Sequence, residues 1–216
     1  MIDVTALVEY LPAIWQGLLV TVEICAVSLV LGVLLGFAVA LLARLPFAPL
    51  RWLLRGYVEL WRGTPLLLQL FILYYGGPSL GFTPSSYEAG VLGMSLYTAA
   101  YLSEIFRAGF EAVPPGQIEA ARMLGFTKLK TVRHIEVPQM LKLIVPPTTN
   151  QMISIIKESA VLSVITVPEL TLTTTRIVSE TFNVVEPYLL LGLAYWSVTS
   201  AVAFASRRVE RRLVRL

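Results

Sequence analysis

Apolar stretches long enough to cross a bilayer alternate with short polar segments along almost the whole sequence. A helix needs about 20 mostly apolar residues to span the hydrocarbon core of a membrane. The pattern predicts five such helices, and therefore an all-α integral membrane fold in a single domain, residues 1–216. The predicted spans are approximately residues 15–43, 57–75, 87–107, 141–165 and 187–205. The segments between spans that we predict to be connectors are residues 45–56, 79–86 and 167–185.

The most polar part of the chain, residues 114–138, predicts two short helices joined by a tight turn. In its first half, Ile118, Ala121 and Leu124 recur at the spacing of one helical face. Gly125 follows the last of these residues and can adopt the left-handed conformation that commonly ends a helix. We therefore expect the first helix to end at this glycine.

The second half of the same segment predicts a helix over residues 128–135. Thr127 can cap its first turn, because a threonine side chain can accept a hydrogen bond from a free backbone N–H. Pro138 is expected to mark the next helix boundary. The basic side chains that we expect to face water are Arg122, Lys128, Lys130 and Arg133.

Composition supports a membrane protein. Of the 216 residues, 56% are hydrophobic and only 14% are charged, and the mean hydropathy is +0.73. Soluble domains carry about 25% charged residues and could not hide so much apolar surface from water. The net charge of +3 does not indicate nucleic-acid binding. The single cysteine, Cys25, lies in an apolar stretch, where a thiol is usually unreactive.

The basic residues predict the orientation, because cytoplasmic segments of membrane proteins are enriched in Lys and Arg. With the amino terminus outside, only Arg176 of the 17 basic residues falls in an outer segment, and Lys157 falls within a span. The carboxyl-terminal basic residues then face the cytoplasm: Arg207, Arg208, Arg211, Arg212 and Arg215. Asp3 and Glu9 precede the first apolar stretch without a basic residue, so we expect no cleavable signal peptide.

Three charged residues are predicted to lie within the membrane, where each costs about 2.5–3.5 kcal/mol at a helix centre. They are Glu23, Lys157 and Glu158. Lys157 and Glu158 are about 100° apart on a helix and need not pair with each other. Glu158 is favoured as part of a polar substrate path over a structural ion pair, and Glu23 is left open between the two.

Polar uncharged residues on the same span add to this candidate path. They include Asn150, Gln151, Ser154 and Ser159. Polar side chains of this kind also act as hydrogen-bonding contacts between membrane helices, and that alternative stays open for them.

No catalytic or nucleotide-binding motif accompanies these features. The sequence contains no GxxxxGK[ST] phosphate loop, so the chain is not expected to hydrolyse ATP by itself. It shows neither paired catalytic carboxylates nor a cluster of metal ligands, and the lone His134 is expected to be a surface residue. We therefore expect no enzyme activity, no metal site and no bound cofactor in this chain.

The spacing of the polar segment carries a resemblance to a known family. The motif positions are Glu119, Ala120, Ala121, Gly125, Ile135 and Pro138. This pattern resembles the EAA loop of the permease subunits of bacterial ABC importers, which lies in the cytoplasm and inserts into the ATPase subunit. Val137 departs from the motif, which often has leucine at that position.

Two further segments extend the resemblance to permeases for polar amino acids of the His/Gln/Arg/Glu type. Arg62-Gly63-Thr64-Pro65 is similar to a signature of that branch, although Thr64 could equally cap a helix that begins at Pro65. Glu104 lies in a similar segment of the third predicted span, and Lys157-Glu158-Ser159 in one of the fourth. The likeness covers roughly residues 17–212.

The resemblance implies a multi-pass protein of the bacterial inner membrane with the fold of a type I ABC importer permease. It implies two ATPase subunits that bind ATP and Mg, a second permease subunit, identical or paralogous, and an extracytoplasmic amino-acid-binding protein. Glu119 and Arg122 would make polar contacts with the ATPase, and Ala120 and Ala121 would allow its close approach. Gly125 would permit the turn.

Two other classes of membrane protein were weighed. A self-contained secondary carrier or channel for small polar solutes would usually contain internally repeated spans, and the sequence shows none. A structural scaffold would not need charge within the membrane or a docking loop. The sequence therefore favours the ATP-driven importer.

Overall fold

The computed structural model describes residues 4–214, with side chains over residues 7–211. Asp3 and Arg215 lie outside the described residues, as does the side chain of Arg212. All regular elements in the described range are helical. The α-helices are α1 (Val4–Leu42), α2 (Ala48–Gly63), α3 (Leu66–Phe71), α4 (Ser86–Glu111), α5 (Pro115–Met123), α6 (Lys128–Thr131), α7 (Val137–Glu158), α8 (Leu170–Thr181) and α9 (Val185–Val214).

Several helices continue into turns of other helical types. A π-helical turn, Ile72–Gly76, and a 3₁₀ turn, Gly77–Leu80, follow α3. A second π-helical turn, Val132–Glu136, joins α6 to α7, and a 3₁₀ segment, Ser159–Ile165, follows α7.

Two helical stretches in the described range, Leu7–Leu42 and Val185–Arg211, are long and apolar enough to cross a bilayer by length and composition alone. The 26 residues of α4 extend about 39 Å at 1.5 Å per residue, which exceeds the ~30 Å hydrocarbon core. Charged residues near the carboxyl end of α4 lower its apolar character. Leu66–Leu80 forms a shorter apolar helical stretch.

The central packing is the crossing of α1 on α4. A Cβ atom added at Gly32 would lie 2.6 Å from Cγ2 of Thr98, and one added at Gly36 would lie 2.9 Å from the carbonyl oxygen of Ala99. The two glycines are four residues apart, so they share one face of α1 and allow the helix backbones to approach closely.

The second predicted span, residues 57–75, is not one continuous helix in the structure. The stretch predicted as a connector, residues 45–56, is mostly the start of α2, because Pro49 occupies the first turn, where proline is tolerated. The predicted span 57–75 is then broken between α2 and α3. Thr64 is extended, with φ −122° and ψ 149°, as a residue before proline usually is.

The prediction that Thr64 caps a helix beginning at Pro65 is also wrong. Thr64 instead follows the last residue of α2 and donates its hydroxyl to the carbonyl oxygen of Leu60 at 2.8 Å. Gln69 spans the break, since its Nε2 donates to Oγ1 of Thr64 at 2.9 Å and to the carbonyl oxygen of Trp61 at 2.9 Å.

Of two later boundaries, the one predicted at Pro138 agrees with the structure to within a residue, because α7 begins at Val137 directly after the π-helical turn and has Pro138 in its first turn. The other boundary is wrong. The predicted connector 167–185 contains α8. Glu169 caps that helix, because its two carboxylate oxygens accept hydrogen bonds from the backbone N–H groups of Thr171 and Leu172 at 2.8 Å.

An apolar cluster connects the polar segment 114–138 to the helices beside it. Phe106 and Phe110 of α4 and Met140 of α7 are buried in it. Ile118 of α5 and Val132 of the π-helical turn pack against the same cluster. The short helices are therefore attached to the rest of the molecule through apolar contacts at their base.

Candidate functional site

The turn between α5 and α6 is fixed by backbone hydrogen bonds. The N–H of Phe126 donates to the carbonyl of Ala121 at 3.0 Å, and that of Gly125 to the carbonyl of Arg122 at 2.9 Å. This pair of bonds defines a Schellman motif, which requires a left-handed residue at the glycine position. Gly125 has φ +77°, so the predicted glycine turn is confirmed.

The helix after the turn begins as the sequence predicts. Oγ1 of Thr127 accepts a hydrogen bond from the N–H of Lys130 at 3.4 Å, which confirms the predicted cap. All four basic side chains predicted to face water are exposed: Arg122, Lys128, Lys130 and Arg133. His134 is exposed too, and one ring nitrogen lies 2.9 Å from the carbonyl oxygen of Lys130.

The six motif positions differ in exposure. Glu119, Ala120 and Pro138 are exposed, and Ile135 is half-buried. Ala121 is only 4% exposed and packs inside the chain. Of the two alanines, only Ala120 is therefore accessible to a partner.

Large apolar side chains are exposed on the same tip. Met123 is 89% exposed, and Leu124 and Leu129 are each 77% exposed. Such residues beside exposed charges form a surface suited to a protein partner. We call this tip, residues 119–129, the coupling tip, after the role that the resemblance to the EAA loop implies for it.

A second set of residues forms a polar and aromatic row along α4. Its members are Tyr97, Tyr101, Glu104, Arg107 and Glu111, spaced three or four residues apart. That spacing places them on one face of the helix. Sequence reasoning singled out Glu104 but missed both tyrosines, although their helical spacing with Glu104 was the available signal.

Contacts connect this row to two other helices. Tyr97 donates its hydroxyl to Oε1 of Glu158 on α7 at 3.2 Å, and its ring lies 4.7 Å from that of Tyr101. The guanidinium carbon of Arg62, on α2, lies 5.2 Å from the centroid of the Tyr101 ring. An Arg62 nitrogen lies 3.7 Å from Oε2 of Glu104.

The row ends in a charged network. Arg107 bonds both carboxylates on its side of α4, with nitrogen–oxygen distances of 2.9 Å to Glu104 and 2.7 Å to Glu111. A cleft of about 670 Å³ opens between α2 and α4 at this point. Its charged lining residues are Arg51, Arg55, Glu59, Arg62, Glu104, Arg107 and Glu111.

Glu158, half-buried on α7, lies against the Tyr97 end of this row. Its Oε2 atom is shielded from solvent and has no hydrogen-bond partner among the residues that the structure describes. A buried carboxylate oxygen without a partner is costly unless something else supplies the missing donor. One carboxylate oxygen of Glu158 is therefore left without a donor among the described residues.

Other residues of the predicted substrate path lie elsewhere. Lys157 and Asn150 are exposed, and Gln151 and Ser154 are half-buried. Ser159 is fully buried and donates to the carbonyl oxygen of Ile156 at 2.7 Å, as a residue within helix packing does.

Glu23 is separated from Glu158 along the molecule. Its Oε1 accepts a hydrogen bond from the hydroxyl of Tyr87 at 2.9 Å, in the first turn of α4. Tyr87 precedes Tyr97 by about 15 Å of helix at 1.5 Å per residue. The structure thus brings Arg62 and Glu158 against the α4 row that contains Glu104, and leaves Glu23 near the amino-terminal end of α4.

Within the described residues, no group of three His, Cys, Asp or Glu side chains is placed to hold a metal ion. The contacts that the row itself makes are hydrogen bonds, a cation–π contact and ion pairs.

Comparison with known proteins gives consistent matches over nearly the whole chain. Residues 29–215 match the family described as "Binding-protein-dependent transport system inner membrane component". The arginine transport system permease protein ArtQ of Bacillus subtilis (strain 168) is 38% identical over 213 residues, which cover 98% of this chain and 97% of that protein. The L-cystine transport system permease protein TcyB of the same organism is 34% identical, with 96% and 89% covered.

Solved structures match as well. A chain from the crystal structure of an amino acid ABC transporter with histidines has a TM-score of 0.90 and 36% identity, with 98% of this chain and 99% of that chain covered. The inward-facing MetNI methionine ABC transporter has a TM-score of 0.81 at 20% identity, over 95% and 98% of the two chains. The second match supports the fold alone.

Proposed function

The chain belongs to the family of binding-protein-dependent transport system inner membrane components, and we propose that it carries a polar amino acid across the bacterial inner membrane. It is a permease subunit of an ATP-driven ABC importer, as are its amino-acid-transporting relatives. The observation that carries the proposal is the match to such permeases over nearly the full length, together with an exposed coupling tip. The self-contained carrier has no comparable support.

We propose five membrane crossings, with the amino terminus outside and the carboxyl terminus inside. The second crossing combines the end of α2 with α3 and the turns after it, and the fourth combines α7 with its 3₁₀ extension. The one-sided distribution of Lys and Arg supports this orientation. It places the coupling tip and the cleft between α2 and α4 on the cytoplasmic side.

The coupling tip is proposed to dock into an ATPase subunit. Its exposed leucines and Met123 offer apolar contact, and Glu119 and Arg122 offer polar contacts around it. A short helix ended by a fixed glycine turn can move as a rigid body when the ATPase pair closes. The proposed assembly has two ATPase subunits, two permease subunits and an extracytoplasmic amino-acid-binding protein, with ATP and Mg bound by the ATPases and no cofactor in this chain.

Glu158 is proposed to contact the amino group or cationic side chain of the substrate. Its free carboxylate oxygen supplies the acceptor, and the hydroxyl of Tyr97 holds the other oxygen in place. The row from Tyr101 to Arg107 then leads from this point towards the cleft between α2 and α4. Alternating acidic and basic groups along the row can exchange hydrogen bonds with the amino and carboxylate groups of a zwitterionic solute.

The direct test is purification of the tagged chain in mild detergent, followed by mass spectrometry and an ATPase assay of the eluate. We expect an ATPase subunit to be recovered, and we expect it to be lost when Glu119 and Gly125 are both substituted. The number of distinct permease chains in the eluate would show whether the pair is identical or paralogous. An eluate that contains only this chain, with amino-acid uptake independent of ATP, would overturn the proposal in favour of a self-contained carrier.

A further inference from the structure

An ion pair with a buried carboxylate joins the end of α1 to the base of residues 114–138, which carry the coupling tip and which we call the coupling segment. Nη2 of Arg44, two residues after the end of α1, lies 2.6 Å from Oε2 of Glu136. The Glu136 side chain is only 4% exposed, whereas that of Arg44 is 38% exposed. A buried carboxylate is strongly unfavourable without a partner, so the position of Glu136 depends on Arg44.

A third element holds the arginine in place. The guanidinium carbon of Arg44 lies 4.5 Å from the centroid of the Phe110 ring near the end of α4. The guanidinium therefore contacts an aromatic face while one nitrogen lies at ion-pair distance from Oε2 of Glu136, an oxygen that has no aligned hydrogen bond among the described residues. The ends of α1 and α4 and the base of the coupling segment meet at this one side chain.

Glu136 lies at the junction between the short helices of the coupling segment and α7. It is the last residue of the π-helical turn Val132–Glu136, which lies between α6 and α7. π-Helical turns interrupt regular helices and are frequent at functional sites. Along the backbone, this turn is the connection between α6 and α7.

Nearer the tip, α1 and the coupling segment are separated rather than packed. A groove of about 360 Å³ lies between them, lined on one side by Leu41 and Leu45 and on the other by Ile118 and Leu129. Arg44 and Glu136 both line this groove. Their ion pair is thus a direct polar connection between its two walls.

We propose that Arg44 and Glu136 are positioning residues for energy coupling, which tie the cytoplasmic end of α1 to the coupling segment. When the ATPase moves the coupling tip, the ion pair makes α1 follow, and α4 moves with it through the glycine-mediated crossing at Gly32 and Gly36. Without the pair, the same movement is absorbed in the groove. This inference rests on the proposed importer function.

The test uses the complete transporter, with its ATPase and binding protein, in proteoliposomes loaded with ATP. The measured quantity is the amount of amino acid taken up per ATP hydrolysed. Glu136→Gln keeps the side-chain volume and removes the charge, and Arg44→Gln removes the guanidinium. We expect each variant to hydrolyse ATP while uptake per ATP falls by about tenfold, the scale of a coupling free energy between two sites.

Matched variants separate coupling from folding. Arg133→Gln removes an exposed cation from the same π-helical turn and is expected to leave uptake per ATP unchanged. Arg44→Lys keeps the charge and is expected to restore part of the loss. In the reversed pair, Arg44→Glu with Glu136→Arg, we expect a higher ratio than in either charge reversal alone.

Failure of this inference and failure of the proposed importer function would give different results in this experiment. If the wild-type chain assembles with no ATPase, the importer reading fails before any variant is compared. If the wild type transports and the Gln variants retain its uptake per ATP, the inference is wrong. It is also wrong if the variants merely reduce the yield of assembled complex while the ratio in the assembled fraction stays normal.

Discussion

Gly125 offers the sharpest test of the coupling tip, because its role can be isolated to the backbone. Its φ of +77° closes the Schellman motif between α5 and α6. A Cβ atom added at this position would meet nothing within 4 Å. Within this chain a Cβ atom at position 125 therefore meets no steric clash, and the left-handed conformation is the expected source of any effect.

The expected magnitude follows from that conformation. A residue with a Cβ costs roughly 1–2 kcal/mol in the left-handed region, and a β-branched residue costs more. A difference of that size changes the population of the native turn by about 5–30-fold. Asparagine visits this region more readily than other residues with side chains, so Gly125→Asn is the matched control.

The assay compares Gly125→Val, Gly125→Ala and Gly125→Asn in the reconstituted transporter. We expect the valine variant to insert normally into the membrane and to lose both ATPase stimulation and uptake. The alanine variant should be intermediate, and the asparagine variant should be close to wild type. Membrane insertion is followed by the yield of monodisperse protein in detergent.

Two results would refute this reasoning. Normal uptake by Gly125→Val would mean that the left-handed turn is not required for coupling. Equal losses in the asparagine and valine variants would mean that the absence of a side chain matters, for example because the partner approaches closely, rather than the backbone angle.

Three further predictions concern the substrate path, the helix crossing and the docking surface. Glu158→Gln should lower uptake by about tenfold while ATP hydrolysis persists, because the loss of one charge-assisted hydrogen bond costs about 1.4 kcal/mol. Unchanged rate and specificity in a radiolabelled amino-acid uptake assay would exclude the proposed contact. Gly32→Val should lower the free energy of unfolding by about 1–3 kcal/mol, because it overpacks the crossing of α1 and α4. The thermal unfolding temperature of this variant in detergent should fall well below that of the exposed control Gly56→Val. Equal unfolding temperatures would contradict the close approach of the two helices. Leu129→Ser should weaken retention of the ATPase during purification. The control Leu80→Ser, at an 82% exposed position after α3, should not. Equal retention in the two variants would argue against docking through the coupling tip.

The parts of the structure that the sequence predicted correctly depend on local chemistry. Gly125 ends α5 because only glycine adopts positive φ at little cost, and Thr127 caps α6 because its hydroxyl reaches a neighbouring N–H. The exposure of the four basic residues around them follows from the cost of removing a charge from water. None of these features requires knowledge of the rest of the fold.

The errors arose where a residue had two local meanings. Pro49 was taken as part of a connector, yet proline is equally compatible with the first turn of a helix, where the structure places it in α2. Glu169 is buried at the start of α8, and a buried carboxylate cap cannot be distinguished by sequence from an exposed one.

The sequence by itself determined that the chain is helical and apolar, where its most polar turn lies, and that Glu158 is an unusual charge on an apolar stretch. Only the tertiary structure decided what these residues contact. Tyr97 meets Glu158 across 61 positions of sequence, and Arg44 meets Glu136 at the base of the coupling segment. Periodicity and capping act over a few residues, whereas these pairings depend on how closely α1, α4 and α7 pack. That packing is set by small residues and side-chain shape in three dimensions.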